Sequence, residues 1–181
     1  MSKTSEIILS GSGGQGLILA GQILAEAVIK DGKNTVQTQS YGPEARGGAS
    51  KAEVIISEAE IDYPKVTLPD IILVMSSEAL SKYAGKLKSG GSLIIDTTYI
   101  KDLPSTTANV LAVPYSRIAK ETLNKAMVSN IVALGALAAF TGVVSKESLQ
   151  SALISRIPKG TEELNQKALE LGWESAGEAA A

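Results

Sequence analysis

A short apolar run followed at once by a glycine-rich segment constrains this chain more than any other feature of its sequence. Residues Glu6–Ser10 have the length and composition of a buried strand, and the segment Gly11–Gly16, which contains four glycines, follows directly. From Gly16 to Lys30 the apolar residues then recur at helical spacing. Strand, glycine turn and helix in this order predict the first unit of an α/β sheet.

The rest of the chain alternates strands and helices and then becomes helical. Strands are predicted at 35–39, 52–57, 70–75, 92–96 and 109–113, and a helix capped by Ser77 is predicted to run to Lys88. Three helical patterns follow at 116–139 (with a break near Met127), 145–154 and 161–171, and the tail 174–181 is expected to fray. We therefore expect one domain over residues 1–181. Its predicted fold is Rossmann-like: a mostly parallel sheet with helices on both faces and a helical C-terminal third that closes one edge or forms an arm.

The residue types that are missing exclude most kinds of catalysis. The 181 residues include no cysteine and no histidine, which excludes disulfides, cysteine-ligated iron–sulfur clusters, zinc fingers and Ser-His-Asp triads. The net charge of -2 and an aromatic content of 4% argue against a nucleic-acid surface. What remains possible is chemistry by carboxylate, lysine, tyrosine, hydroxyl and backbone groups, or no chemistry at all.

The apolar runs are also too short for a membrane protein. The longest, Ile131–Val144, is broken by glycine and threonine and falls short of the roughly 20 residues that a bilayer span needs, so it predicts a buried helix. The first ten residues contain only three consecutive apolar ones, fewer than the core of a signal peptide. We expect a cytoplasmic protein that does not associate with membranes.

The first glycine loop matches a phosphate-binding pattern, since Gly11, Gly13 and Gly16 give G-x-G-x-x-G between a strand and a helix. The N–H groups that begin the helix favour an anion. A dinucleotide site would also need an acidic residue at the end of the second strand, but residues 38–40 are Thr-Gln-Ser, and Asp31 lies at the end of the helix instead. Three alternatives stay open: a dinucleotide, the phosphate of another ligand, or a tight turn that binds nothing lasting.

A second glycine-rich loop, Tyr41–Gly48, follows the second predicted strand and is expected at the same carboxyl edge of the sheet. Its Arg46, one of three arginines, can form two parallel hydrogen bonds with a carboxylate or a phosphate. The alternative is a surface turn in which Glu44 and Arg46 are solvated or paired with each other.

Four further candidates are weaker. Asp96 either lines the ligand edge of the sheet or caps the next turn. Tyr99 and Tyr115 either present hydroxyl groups at this edge or lie in the core. Ser129-Asn130 is interpreted as a helix cap.

Together, the two loops resemble the gamma subunit of 2-oxoacid:ferredoxin oxidoreductases. The resemblance rests on Gly11–Gly16 and Ser40–Gly48, and it continues through residues 54–57, 61–64, 90–96 and 130–136, so that it covers nearly the whole chain. The segment Tyr41-Gly42-Pro43-Glu44 is most similar to the 2-oxoglutarate branch. Small subunits of indolepyruvate oxidoreductase, which share the glycine loop and the Arg-Gly-Gly, are the alternative.

This resemblance implies an accessory subunit of a complex that oxidatively decarboxylates a 2-oxoacid to an acyl-CoA and passes electrons to ferredoxin. It implies that other subunits hold the thiamine diphosphate and the iron–sulfur clusters, so that this chain binds no cofactor tightly and contains no catalytic residue and no metal ligand. The implied partners are the alpha and beta subunits, together with a delta subunit where the complex has one. The isolated chain is expected to be inactive and to self-associate through its uncovered partner surface.

The resemblance also suggests two groups of site residues. The candidate contacts to the phosphates of coenzyme A are Gly11, Gly13, Gly14, Gln15 and Gly16. The candidate interface with the thiamine-bearing subunits comprises Tyr41, Glu44, Arg46, Gly47 and Gly48. Two competing functions remain at this point: a free-standing nucleotide-binding α/β protein, and an assembly module without a ligand.

Overall fold

A six-stranded sheet forms the centre of the computed structural model, which describes residues 4–40, 49–103 and 105–179. Its strands are β1 (Thr4–Ser12), β2 (Asn34–Ser40), β3 (Ala49–Ser57), β4 (Ile71–Val74), β5 (Ser92–Asp96) and β6 (Asn109–Val113). The helices are α1 (Leu17–Lys30), α2 (Ser77–Tyr83), α3 (Tyr115–Thr122), α4 (Ser129–Thr141), α5 (Lys146–Arg156) and α6 (Glu162–Ala179). The predicted α/β architecture is confirmed.

The strands lie in the order β2-β3-β1-β4-β5-β6, and only β3 runs against the others. β1, β4, β5 and β6 are parallel neighbours, whereas β3 is antiparallel to both β1 and β2. The connection from Ser40 to Ala49 is short, and a parallel crossover needs a dozen residues or more, which explains the reversal of β3. Because Ala49 pairs with Ser12, β3 begins at the edge of the sheet where β1 ends.

Two hydrophobic clusters of unequal size cover the two faces of the sheet. On one face, α1 and α3–α6 pack over β1, β3 and β6 in the larger cluster. On the other face, α2 covers β4 and β5 in the smaller one. Residues 131–138 of α4 are all buried, which confirms the predicted buried helix. The C-terminal helices join the layer formed by α1, so of the two arrangements expected for them, closure of one edge or an arm, the arm is wrong.

Several element boundaries differ from those predicted. Ser76, and not Ser77, caps α2, because its hydroxyl accepts a hydrogen bond from the Ala79 N–H at 3.2 Å. The helix ends at Tyr83 and is followed by a single 3-10 turn over Ala84–Lys86, short of the predicted end at Lys88.

The helical pattern predicted at 116–139, with a break near Met127, is two helices, and the predicted break is confirmed. α3 ends at Thr122, Asn124 has a positive φ of 52°, and a 3-10 turn over Ala126–Val128 leads into α4. The segment 174–181, expected to fray, is helical as far as Ala179 because α6 packs along α4 and buries Ala176.

No helix within the described parts of the chain is long and apolar enough to cross a membrane.

Candidate functional site at the carboxyl edge of the sheet

The carboxyl ends of the parallel strands bring the candidate residues to one edge of the sheet. β1 ends there at Ser12 and leads through the first glycine loop into α1. The ends that flank the second loop, Ser40 and Ala49, lie at this same edge, as the strand order requires. The loop itself, with the candidates Tyr41, Glu44, Arg46, Gly47 and Gly48, lies outside the described residues.

Gln15 shapes the glycine loop from within. Its Oε1 accepts a hydrogen bond from the Ser12 N–H at 2.7 Å, and its Nε2 donates to the Met75 carbonyl at 3.1 Å. Its own N–H donates to the Ser12 carbonyl at 3.2 Å. A Cβ on Gly11 would collide with the Gln15 side chain. Gln15 and Gly11 thus hold the turn in shape, and neither the side chain nor the N–H of Gln15 is free for a ligand.

The exposed part of the loop offers backbone donors to solvent. Gly13 and Gly14 are exposed, and Gly16 begins α1 with a positive φ of 75°. The first helical hydrogen bond of α1 runs from the Ala20 N–H to the Gly16 carbonyl at 3.1 Å, so the N–H groups of residues 17–19 precede it. In the described structure no side chain caps α1, and its first turn contains no acidic residue. The positive end of this helix is therefore uncompensated.

Asn130, at the start of α4, contacts this loop directly. Its Nδ2 donates to the Gly16 carbonyl at 3.0 Å, and its Oδ1 is buried without a partner among the described residues. The expected helix cap at Ser129-Asn130 is wrong, because α4 has no side-chain cap and the Asn130 amide reaches α1 instead. Sequence reasoning missed this contact because its two residues are 114 positions apart, and no local pattern indicates it.

Asp96 serves as a structural cap at this edge. It is fully buried, its Oδ1 accepts from the Thr98 N–H at 2.9 Å, and its Oδ2 accepts from the N–H and Oγ of Ser116 at 3.2 and 2.5 Å. These bonds occupy both carboxylate oxygens, so the structure supports the cap and not a ligand contact.

The two tyrosines differ in position. Tyr115 lies wholly inside the core, where burial first and the charge of Asp96 second raise the pKa of its hydroxyl well above the usual range. Tyr99 is exposed after β5, and its carbonyl accepts a hydrogen bond from Ser77 Oγ at 3.4 Å. Of the two, only Tyr99 can meet a ligand or partner at the edge.

A separate cavity of about 590 Å³ lies at the opposite edge of the sheet, between the starts of β4 and β5 and the end of α4. Two of its lining residues, Lys33 and Lys88, already have partners: Lys33 Nζ donates to the Val143 carbonyl at 3.3 Å, and Lys88 Nζ is 2.9 Å from Asp70 Oδ1. Lys88 is thus paired with a carboxylate, and Lys33 is tied to the segment that follows α4. Within the described ranges there is no cluster of acidic side chains that could hold a metal ion.

Known proteins resemble this chain over nearly its whole length. The family model for pyruvate ferredoxin/flavodoxin oxidoreductase matches residues 6–175. The 2-oxoglutarate synthase subunit KorC of Methanocaldococcus jannaschii is 49% identical over 96% of this chain and 94% of its own length. The KorC subunit of Methanothermobacter marburgensis is 47% identical over 93% of this chain and 95% of its own.

A solved structure agrees with these relatives. The gamma subunit of a keto/oxoacid ferredoxin oxidoreductase from Geobacter sulfurreducens PCA superposes with a TM-score of 0.91 and 49% identity, covering 98% of both chains. The chain therefore belongs to the pyruvate ferredoxin/flavodoxin oxidoreductase family, as the accessory gamma subunit of a 2-oxoacid:ferredoxin oxidoreductase complex.

Proposed function

We propose that this gamma subunit serves a complex that converts 2-oxoglutarate to its acyl-CoA, and that its glycine loop binds the diphosphate of coenzyme A. Relatives that share almost half of its residues are named as subunits of 2-oxoglutarate synthase, which favours this substrate over indolepyruvate. The observation that carries the ligand proposal is the uncompensated N-terminus of α1 behind two exposed glycines.

In this proposal the other subunits hold the redox cofactors, and this chain binds part of coenzyme A. Without cysteine, the gamma subunit cannot ligate an iron–sulfur cluster of the usual kind, and the described residues offer no acidic cluster for the metal ion of thiamine diphosphate. Alpha and beta subunits, with a delta subunit where one exists, would hold those groups and deliver electrons to ferredoxin. The gamma chain would bind and orient the anionic end of coenzyme A.

The small free energy that an anion gains at a helix N-terminus limits how tightly the glycine loop alone can bind coenzyme A. A negative charge at an exposed helix N-terminus gains about 0.3–1 kcal/mol, whereas a Kd of 1 mM already corresponds to about 4 kcal/mol. The loop alone should therefore bind coenzyme A only weakly. The assembled complex should bind it more tightly, because the other subunits contact the rest of the molecule.

The substitution Gly13→Asp tests the ligand proposal, with Gly13→Asn as the matched neutral control. In the reconstituted complex, the carboxylate should raise the KM for coenzyme A about tenfold, as one like charge close to the diphosphate predicts. The amide should change it by less than about twofold, and kcat should stay similar in both variants. An equal KM in the two variants would contradict the proposal.

We also propose that the loop bearing Tyr41, Glu44, Arg46, Gly47 and Gly48 contacts the thiamine-bearing subunits. Its flanking residues Ser40 and Ala49 lie at the same edge as the glycine loop, which supports this assignment. Arg46→Ala should weaken subunit assembly by about 1–3 kcal/mol, as for loss of one partner of a charged hydrogen bond. Unchanged subunit affinity in analytical ultracentrifugation and unchanged dependence of the activity on coenzyme A would show that Arg46 is only a solvated residue.

A further inference from the structure

β2 lies at one end of the sheet, where one side of its backbone has no neighbouring strand in the described structure. Among the described residues, β2 pairs only with β3, in an antiparallel register that continues over all seven residues from Asn34 to Ser40. The free side of an edge strand presents N–H and C=O groups to any extended chain. Such an edge binds a further strand unless its sequence or a neighbouring element protects it.

The sequence of β2 contains none of the usual protections of an edge strand. Residues 34–40 include no lysine, no proline and no other charged residue, and the uninterrupted pairing with β3 leaves no room for a bulge. β6, at the other end of the sheet, is different, because it has only five residues, is followed by Pro114 and packs against α6. The contrast indicates that β6 is a protected edge and that β2 is suited to pairing.

The residues of β2 are compatible with a second copy of the same strand. An antiparallel pairing about a two-fold axis at Gln37 places the two Gln37 side chains opposite each other. The remaining residues then pair without any charge: Asn34 with Ser40, Thr35 with Gln39, and Val36 with Thr38. The inner pairs each include a β-branched residue, which favours cross-strand packing, and no like charges meet.

The side chain of Gln37, at the centre of β2, contacts its own strand and not β3. Its Nε2 donates to the carbonyl of the adjacent Thr38 at 3.0 Å. By contrast, Thr38 Oγ1 donates to Glu53 Oε2 of β3 at 3.0 Å, so that side chain is tied to the sheet. Two amides that face each other across an axis can each donate and accept a hydrogen bond. A charged partner strand would find no countercharge on β2, which favours a second copy as the partner.

We propose that β2 binds the β2 of a second copy of this chain, antiparallel and with Gln37 on the two-fold axis, so that two six-stranded sheets form one continuous sheet. Both copies use the same surface, so the interface closes on itself as a dimer. This inference is independent of the ligand proposed for the glycine loop. It assigns a surface to the self-association expected of the isolated chain.

Disulfide formation tests the axis directly, because the chain contains no cysteine and a single introduced thiol is unique. Directly opposite residues of an antiparallel pair have Cα atoms about 4.5–5.5 Å apart, within reach of a disulfide. Oxidation of Gln37→Cys should therefore link the chains into covalent dimers on a non-reducing gel. Gln39→Cys is the matched control on the same face of the same strand. Its two copies would lie roughly 14 Å apart in this register, so it should not cross-link.

An exchange of charges tests the same axis without a covalent bond. Sedimentation of the wild-type chain should show a dimer, and Gln37→Lys and Gln37→Glu should each raise its Kd about tenfold, because like charges then face each other. An equimolar mixture of the two variants should restore the wild-type Kd or a lower one, and this advantage should vanish at about 1 M salt. Gln166→Lys and Gln166→Glu, at an exposed position of α6, are the controls and should leave the Kd unchanged.

Three results would overturn the proposal. The first is a wild-type chain that sediments as a monomer, and the second is equal cross-linking of Gln37→Cys and Gln39→Cys. The third is a mixture of the two charged variants that binds no more tightly than either variant alone. Restored affinity in the mixture would instead support the pairing, and it would also show that both charged variants fold.

Discussion

The two ends of α1 are built in opposite ways. At its C-terminal end the acceptors are satisfied: Glu26 accepts from Ser155 Oγ and Arg156 Nε, both at 2.5 Å, and Asp31 accepts from the N–H and Oγ of Ser145 at 2.7 and 2.6 Å. At its N-terminal end no side chain caps the first turn, and the N–H groups of residues 17–19 precede the first helical hydrogen bond. One end joins the helix to α5, and the other leaves N–H donors for the anion that we propose.

The pKa values of the two carboxylates at the C-terminal end of α1 reflect these hydrogen bonds. The hydrogen bonds from Ser155 and then Arg156 hold the pKa of Glu26 below its ordinary value. Partial burial would raise the pKa of Asp31, but hydrogen bonds from Ser145 and Ser148 outweigh it and lower that pKa. These carboxylates are stabilised by the fold itself. The C-terminal end of α1 therefore stabilises the fold through these hydrogen bonds, whereas the N-terminal end lacks the stability that a side-chain cap would add.

The largest expected effect comes from the two glycines that flank α1. Gly16 and Gly32 have nearly the same positive φ, 75° and 76°, but a Cβ meets Asn130 at Gly16 and open space at Gly32. Gly16→Ala should lower the free energy of unfolding by about 3 kcal/mol and Gly32→Ala by about 1 kcal/mol, because only the first adds a collision to the backbone strain. Chemical denaturation of the isolated chain measures both. Equal losses would show that Asn130 yields without cost.

A smaller effect is expected at the other end of the helix. Asp31→Asn should lower the free energy of unfolding by about 1–2 kcal/mol, because two charge-assisted hydrogen bonds to Ser145 weaken. The KM of the complex for coenzyme A should not change, since this end lies away from the glycine loop. Asp102→Asn, at an exposed loop position, is the control and should be neutral. A raised KM in Asp31→Asn would break the division between the two ends.

Lowering the pH should reduce the stability contributed by the C-terminal end of α1. Because the pKa values of Glu26 and Asp31 are lowered in the folded chain, their contribution to stability is present above the ordinary carboxyl pKa. It is lost as the pH falls through the lowered values. Between about pH 5 and about pH 2 the wild-type chain should therefore lose more stability than the double variant Glu26→Gln/Asp31→Asn. Parallel pH profiles from thermal unfolding would contradict the assignment.

The smallest expected effect is the coupling of Glu26 with Arg156. The arginine side chain is 46% exposed, so solvent screens the pair. A double-mutant cycle with Glu26→Gln and Arg156→Gln should give a coupling energy of about 0.5 kcal/mol. A coupling above about 1.5 kcal/mol would mean that this surface pair contributes as much as a buried one.

Local patterns in the sequence predicted much of the fold. Apolar runs, helical spacing and glycines at the ends of elements predicted β1, α1, β5 and β6, because each of these signals lies within one short stretch of sequence. The break near Met127, which separates α3 from α4, was predicted, but the turn with a positive φ at Asn124 was not. The continuation of α6 to Ala179 depends on packing against α4, which composition alone does not reveal.

The site was less predictable because its contacts are long-range. The glycine loop and its place before α1 were visible from the motif. Gln15 was predicted as a contact to coenzyme A, and its side chain hydrogen-bonds the Met75 carbonyl, 60 residues away. The contact of Asn130 with Gly16 spans 114 residues. A single sequence shows which residues can do chemistry, but only tertiary structure shows which of them already have partners.

Hydrogen–deuterium exchange of the assembled complex, with and without coenzyme A, tests the central claim most directly, because it reads both ends of α1 in one experiment. We expect coenzyme A to slow amide exchange in peptides that cover residues 11–20 and to leave peptides covering 26–36 unchanged. Added pantetheine, without phosphates, should give no slowing at 11–20. Protection at 26–36, or equal exchange at 11–20 with and without saturating coenzyme A, would contradict the claim that the N-terminal end of α1 is the anion site.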